Sequence, residues 1–156
     1  MKRLTILLLI LIIPFSQAEE TSQSVVGVWQ TIDDKTKQVR SLVELSIEDN
    51  KLYGKIVKLF PQDGDPENPI CEKCEGERKN KAILGLQIID GLSLKKDEWI
   101  DGEILDPDNG KTYDCKIWLE EGELKVRGYI GFFYRTQKWI RYIPIQSKNV
   151  NIDVSI

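Results

Sequence analysis

Chemistry in this chain is most concentrated in the stretch NPICEKCEG, Asn68 to Gly76, where Cys71 and Cys74 stand three positions apart. Such a pair can be a redox centre, half of a zinc site or a disulfide across a loop. A thioredoxin-type CxxC needs a helix that begins at the first cysteine, because the helix N-terminus lowers that thiol's pKa. The flanks DGDPENPI and EGERKN instead read as irregular loop, and Glu72 and Glu75 work against a thiolate. A thiol redox enzyme is therefore the least favoured function. Structural zinc asks for four ligands, and with Cys115 as the remaining cysteine and no histidine in the chain, carboxylates would have to complete the set. A Cys71–Cys74 disulfide fits best: residues i and i+3 of a turn lie within the span such a bond tolerates, and closing the ring contributes about 2 kcal/mol. Cys115 is then left over, either as a buried small apolar residue or as half of a bond between chains.

The lack of histidine also removes Ser-His-Asp and Cys-His nucleophiles and imidazole acid-base chemistry. The acidic run DGDPEN starts like a calcium loop, yet Asn68 stands at the position of the required glycine and Cys74 at that of the bidentate glutamate. Carboxylates abound, but nothing marks two of them as facing each other across a glycosidic bond. The sequence thus offers no catalytic residue, no metal site and no cofactor motif.

What positions these residues begins with the compartment. Lys2 and Arg3, an apolar run from Leu4 to Phe15, and Ser16-Gln17-Ala18 ahead of Glu19 have the three parts of a secretory signal peptide cleaved after Ala18. An uncleaved anchor is the alternative. Residues 1–18 are thus expected to be removed, leaving a periplasmic or extracellular chain in which disulfides persist. Residues 19–156 carry 20 basic against 25 acidic side chains, a net charge of −5. That balance opposes nucleic acid or anionic lipid as a partner, since both require clustered Lys and Arg.

From Val25 onward the hydrophobic period is two. VRSLVELSIE places Val39, Ser41, Val43, Leu45 and Ile47 on one face, and TYDCKIWLE does the same with Tyr113, Cys115, Ile117 and Leu119. Turn signals at DDKTK, EDNK, DPDNGK and EEGE separate such runs. The pattern predicts an all-β domain over residues 19–143, with about eight strands at 25–31, 39–48, 52–60, 83–90, 98–105, 112–119, 123–130 and 137–143. Short turns join most neighbours, so the fold class expected is a single antiparallel up-and-down barrel. The irregular segment 61–82 carries the CxxC at its rim. Residues 144–156 read as a tail or an extra edge strand, since Val150, Ile152, Val154 and Ile156 alternate. Alternation also suits an outer-membrane barrel, but short strands and scattered aromatics oppose stable membrane insertion.

Gly27 and Trp29 in the first strand and Arg141 in the last suggest a closed barrel end, an indole plug under a guanidinium, with Arg135 as the other possible cation. Further along come GKI (54–56), DPENP (65–69), NKAILGLQIIDGL (80–92), WIDGEILDPDNGKTY (99–113), LKVRGYIG (124–131) and RTQKWIR (135–141). In this order they resemble the small secreted bacterial proteins of the domain of unknown function 2147 family. The resemblance implies a lipocalin-like, calycin-type β-barrel that is exported by bacteria and has no established activity. The function expected is non-covalent binding of a small, mostly apolar ligand. From alternation, the candidate lining is Val43, Leu45, Tyr53, Trp99, Tyr113, Ile117 and Val126. A filled barrel acting as a protein-interaction module, with Phe132 and Phe133 exposed, is the alternative.

Overall fold

A computed structural model describes residues 24–144. The expected leader, Met1 to Ala18, and the tail beyond Pro144 lie outside the described residues. Eight strands run along the chain: β1 (Gly27–Ile32), β2 (Val39–Glu48), β3 (Lys51–Leu59), β4 (Gln87–Lys95), β5 (Glu98–Asp106), β6 (Lys111–Glu120), β7 (Glu123–Ile130) and β8 (Phe133–Arg141). They pair antiparallel in sequence order, and β8 returns to β1 to close the barrel. A sheet with one apolar face has to hide it, and closure does so without leaving edges.

Tight turns set the register. Asp49 and Asn50 join β2 to β3, and Glu121 and Gly122 join β6 to β7, all four with positive φ. Two such residues in a row make the hairpin turn whose twist matches the flanking strands. Two strands are displaced most from their expected bounds: the fourth is Gln87–Lys95 in place of 83–90, and the last is Phe133–Arg141 in place of 137–143. The fourth strand starts at Gln87 rather than 83, because Ile83 to Leu86 curl into a turn in which the Leu86 N–H donates to the Ile83 carbonyl at 3.1 Å. The last strand begins at Phe133 rather than 137: the aromatic run GFFYRT is a two-residue turn, Gly131-Phe132, followed directly by strand. Polar Arg135 and Gln137 at alternating positions had masked it.

One end of the barrel is filled. Trp29, Val43, Leu45, Leu52, Ile89, Leu92, Ile117 and Leu124 are all essentially inaccessible there. Gly54 leaves room for this packing, since a Cβ on it would fall 2.7 Å from both Ile89 and Leu45 side-chain atoms. The closing seam is short: Trp29 opposes Arg141 and Gln30 opposes Ile140. The Trp29 indole N–H donates to the Val25 carbonyl at 2.8 Å, and the Arg141 guanidinium lies 4.2 Å from the ring centroid. Arg141 also donates to the carbonyls of Val26, at 3.1 Å, and of Ser24. Gly27 has φ +126, and a Cβ there would sit 2.7 Å from the guanidinium. Only glycine lets the chain pass so close beneath the arginine.

Replacing Arg141 with Ala is therefore expected to destabilise the barrel by about 2 kcal/mol, through loss of the cation–π contact and of two charge-assisted hydrogen bonds. A thermal melt followed by circular dichroism would read this as a drop of several degrees, and an unchanged midpoint would rule out the role of the plug.

Candidate ligand cavity

The other half of the barrel is open. A cavity of about 860 Å³ begins above the filled end and runs to the mouth, where the loops after β1, β3, β5 and β7 emerge. Its depth is apolar, with Ile56, Ile88, Ile104, Val126 and Trp139 among the walls. Polar groups enter higher up. The hydroxyls of Thr31 and Ser41 lie 2.7 Å apart on β1 and β2, and Gln137 on β8 accepts a hydrogen bond from the Trp139 indole at 3.3 Å. The Tyr113 hydroxyl accepts from the Asn109 side-chain amide at 3.0 Å.

The long connection from Phe60 to Leu86 makes one wall of the mouth. An isolated bridge pairs Ile70 with Ala82, and the Cys71 N–H donates to the Lys81 carbonyl at 2.8 Å. Cys71 and Cys74 form a disulfide with Cα atoms 5.4 Å apart, and both residues are buried with Leu86 and Leu105. The loop docks on the β5–β6 turn. Gly110 there has φ +72, and a Cβ on it would lie 2.0 Å from the Lys73 carbonyl oxygen, so backbone packs directly on backbone. Lys73 Nζ donates to the Asp108 carbonyl at 2.9 Å. No helix starts at Cys71; the one helical turn nearby is Gly76–Arg78. The buried disulfide lacks the helix N-terminus that activates the first thiol of a thioredoxin-type CxxC, and it ties the loop together across Cys71 and Cys74.

Two ion pairs span the mouth. Arg40 on β2 holds Asp65 of the loop in a two-pronged contact, one arm at 3.3 Å, and the Gln62 N–H also donates to Asp65 at 2.8 Å. The Arg40 guanidinium and that N–H hold the Asp65 carboxyl below its usual range. Backbone N–H groups of Thr36 and Lys35 do the same for Asp33. Arg135 on β8 pairs with Asp34. This second pair crosses the seam above its two paired rows, where β1 and β8 no longer share a ladder and residues from both strands face the cavity.

Of the residues expected to line the site, Tyr113 and Val126 do so. Val43, Leu45, Trp99 and Ile117 are buried but lie outside the cavity, among the core residues. Tyr53 is off it too: the buried positions of β3 are Leu52, Gly54 and Ile56, which puts the half-buried Tyr53 on the alternate face. Alternation reports which face is inward, not how far along the barrel axis a residue sits. Arg40, Gln137 and Trp139 escaped the sequence reading as lining residues because two of them are polar and the third sat in a strand whose start was misplaced. Arg135 was weighed only as a partner for an indole, a place that Arg141 takes.

A family model described as "Uncharacterized protein conserved in bacteria (DUF2147)" matches residues 27–141, from the first residue of β1 to the last of β8. The chain belongs to the DUF2147 family. Among solved structures, this DUF2147 chain is similar to one titled "Protein HP1028 from the human pathogen Helicobacter pylori belongs to the lipocalin family". The two share 19% identity with a TM-score of 0.65, over 77% of this chain and 84% of that one. At that identity the likeness establishes a lipocalin-like fold. No curated protein matches significantly.

Cys115 lies inside this DUF2147 barrel, opposite Gly102 and Gly128, and is 3% exposed. Burial pushes its thiol from 9.0 up to about 12. An unfolded chain ionises this group near pH 9 while the folded protein keeps the proton, so its contribution to stability is complete below pH 9 and is lost as pH rises toward 12. Each pH unit in that window should lower the unfolding free energy by about 1.4 kcal/mol. Chemical denaturation at successive alkaline pH values should show that slope in the parent protein, and Cys115→Ala should remove it.

Proposed function

We propose that the protein binds a small, mostly apolar ligand non-covalently in the open half of the barrel, and that it does so outside the cytoplasm after removal of residues 1–18. The observation that carries this reading is the cavity: about 860 Å³ with apolar depth, in a barrel whose other end is packed solid. Ligand sites are concave, largely pre-formed and apolar with a few placed polar groups, and their volumes run to several hundred Å³. Thr31, Ser41, Gln137 and Tyr113 are such groups. An alkyl chain burying roughly 300 Å² here gains about 7 kcal/mol before the costs of ordering, and the hydrogen bonds of a polar end add to it. Export is supported by the leader pattern and by the disulfide, which suits an oxidising compartment.

Ile104→Trp is expected to fill the cavity between β5 and β6 while leaving the packed end untouched. The measurement is fluorescence of N-phenyl-1-naphthylamine, a neutral dye that brightens in apolar sites, with native mass spectrometry for co-purifying molecules. The parent should bind at micromolar dye concentration and the variant at least about tenfold more weakly. Equal brightening by both proteins, or none by either, would end this reading.

A second reading has its own observation. The β7–β8 turn presents Phe132 at 102% and Phe133 at 79% exposure beside the mouth, with Ile130 and Tyr134 also exposed. So apolar a rim suits a protein partner at the same end of the barrel. Phe132→Ser with Phe133→Ser would abolish a rim-dependent association and leave dye binding intact.

A further inference from the structure

We infer that the cavity favours ligands whose polar end is cationic or uncharged, and disfavours those that end in a carboxylate or phosphate. This rests on the ligand-binding reading above. It comes from the placement of charge around the opening. Six acidic residues line the cavity, Asp33, Asp34, Asp65, Glu72, Asp106 and Asp108. Three cations accompany them, Arg40, Lys73 and Arg135.

The surplus is reinforced by the state of the cations, because two of the three are already paired with carboxylates and the third is tied to a backbone carbonyl. Arg40 is held by Asp65, Arg135 by Asp34, and Lys73 by the Asp108 backbone carbonyl. Among the described residues, neither the Glu72 nor the Asp108 side chain has a cation within ion-pair distance. Deeper in, the polar groups are neutral: hydroxyls, a phenol and an amide. An anionic head therefore meets one cation unpaired by a carboxylate, Lys73, and it meets it beside Glu72 and Asp108, whose charges are unpaired as well. To reach Arg40 or Arg135 it must displace a carboxylate, which then stays beside it as a like charge, an arrangement that opposes binding. Displacing Asp34 would also remove the ion pair that bridges the open part of the β1–β8 seam. A cationic head meets the opposite situation. Glu72 and Asp108 are available to it without breaking any pair, and a cleft of one dominant sign with low-dielectric walls concentrates the opposite charge. The hydrogen bonds that hold Asp33 and Asp65 ionised keep this field in place at neutral pH.

The test uses the full mature chain loaded with N-phenyl-1-naphthylamine and three competitors with the same alkyl chain: dodecyltrimethylammonium, dodecanol and dodecanoate, each kept below its micellar concentration. In buffer of about 20 mM ionic strength, where screening is weak, the ammonium should displace the dye at least about tenfold more effectively than the carboxylate, with the alcohol between them. At about 0.5 M salt the gap should shrink several-fold. Glu72→Gln combined with Asp108→Asn should also reduce the ratio between cationic and anionic chains several-fold. Equal displacement by all three, or dodecanoate as the strongest with its advantage lost in Arg135→Gln, would overturn the inference while leaving the cavity as a ligand site. Displacement by none would remove the ligand-binding reading and this inference with it.

Discussion

The architecture depends on a closure made by two rows of residues. Trp29 against Arg141 and Gln30 against Ile140 join β8 to β1, and without them eight strands would form an open sheet with two free edges and no enclosed volume. So short a ladder is not strong as backbone pairing alone. Its strength comes from the Arg141 guanidinium, which covers the Trp29 ring and at the same time satisfies the Ser24 and Val26 carbonyls where the chain enters β1. One side chain thus ties the last strand, the first strand and the segment before it. The indole needs that cover, because its own N–H is directed to Val25 and its faces would otherwise meet water at the barrel end.

Because closure is concentrated at one end, the barrel divides along its axis. The closed half is filled by fully buried side chains. The open half is held by fewer and more polar contacts: the Thr31–Ser41 hydroxyl pair, the Arg40–Asp65 and Arg135–Asp34 ion pairs, and the loop from Phe60 to Leu86. That loop would cost much entropy to hold in place by surface contacts alone. The Cys71–Cys74 bond shortens its free length, and the backbone contact of Lys73 on Gly110 fixes it to the neighbouring turn. The disulfide therefore acts on the shape of the mouth.

The barrel was legible in the sequence wherever the inward positions are apolar. VRSLVELSIE and TYDCKIWLE display their faces plainly, and Gly27, Trp29 and Arg141 stand out as an end plug because their residue types have few other uses at strand positions. Legibility fails at the cavity for a physical reason. A wall that meets an open space need not be apolar, so Ser41, Arg135 and Gln137 break the alternation at the positions that line it. The same break hid the start of β8. Conversely, the most conspicuous apolar residues, Val43, Leu45 and Ile117, were drawn into the closed end, where burial is complete. Depth along the axis depends on register between strands, and a list of alternating residues does not contain it.

A barrel wall without packing on its inner side needs support from elsewhere, and the outer surface of β6 to β8 supplies it. Gly128 and Val126 face the cavity there and offer little bulk. On the outside, Lys116 and Arg127 each lie 5.0 Å from the Trp118 ring, and Arg127 also lies 4.2 Å from the Tyr134 ring. Arg127 further donates to the Thr136 hydroxyl at 2.8 Å. This chain of cations and rings crosses three strands and holds them in register from the solvent side. Opposite it, the stapled loop does the same for β3 to β5. A wall that faces a cavity lacks the side-chain contacts that a filled core supplies on its inner side. Support placed outside the wall makes up for them, which is the condition any internal ligand site has to meet.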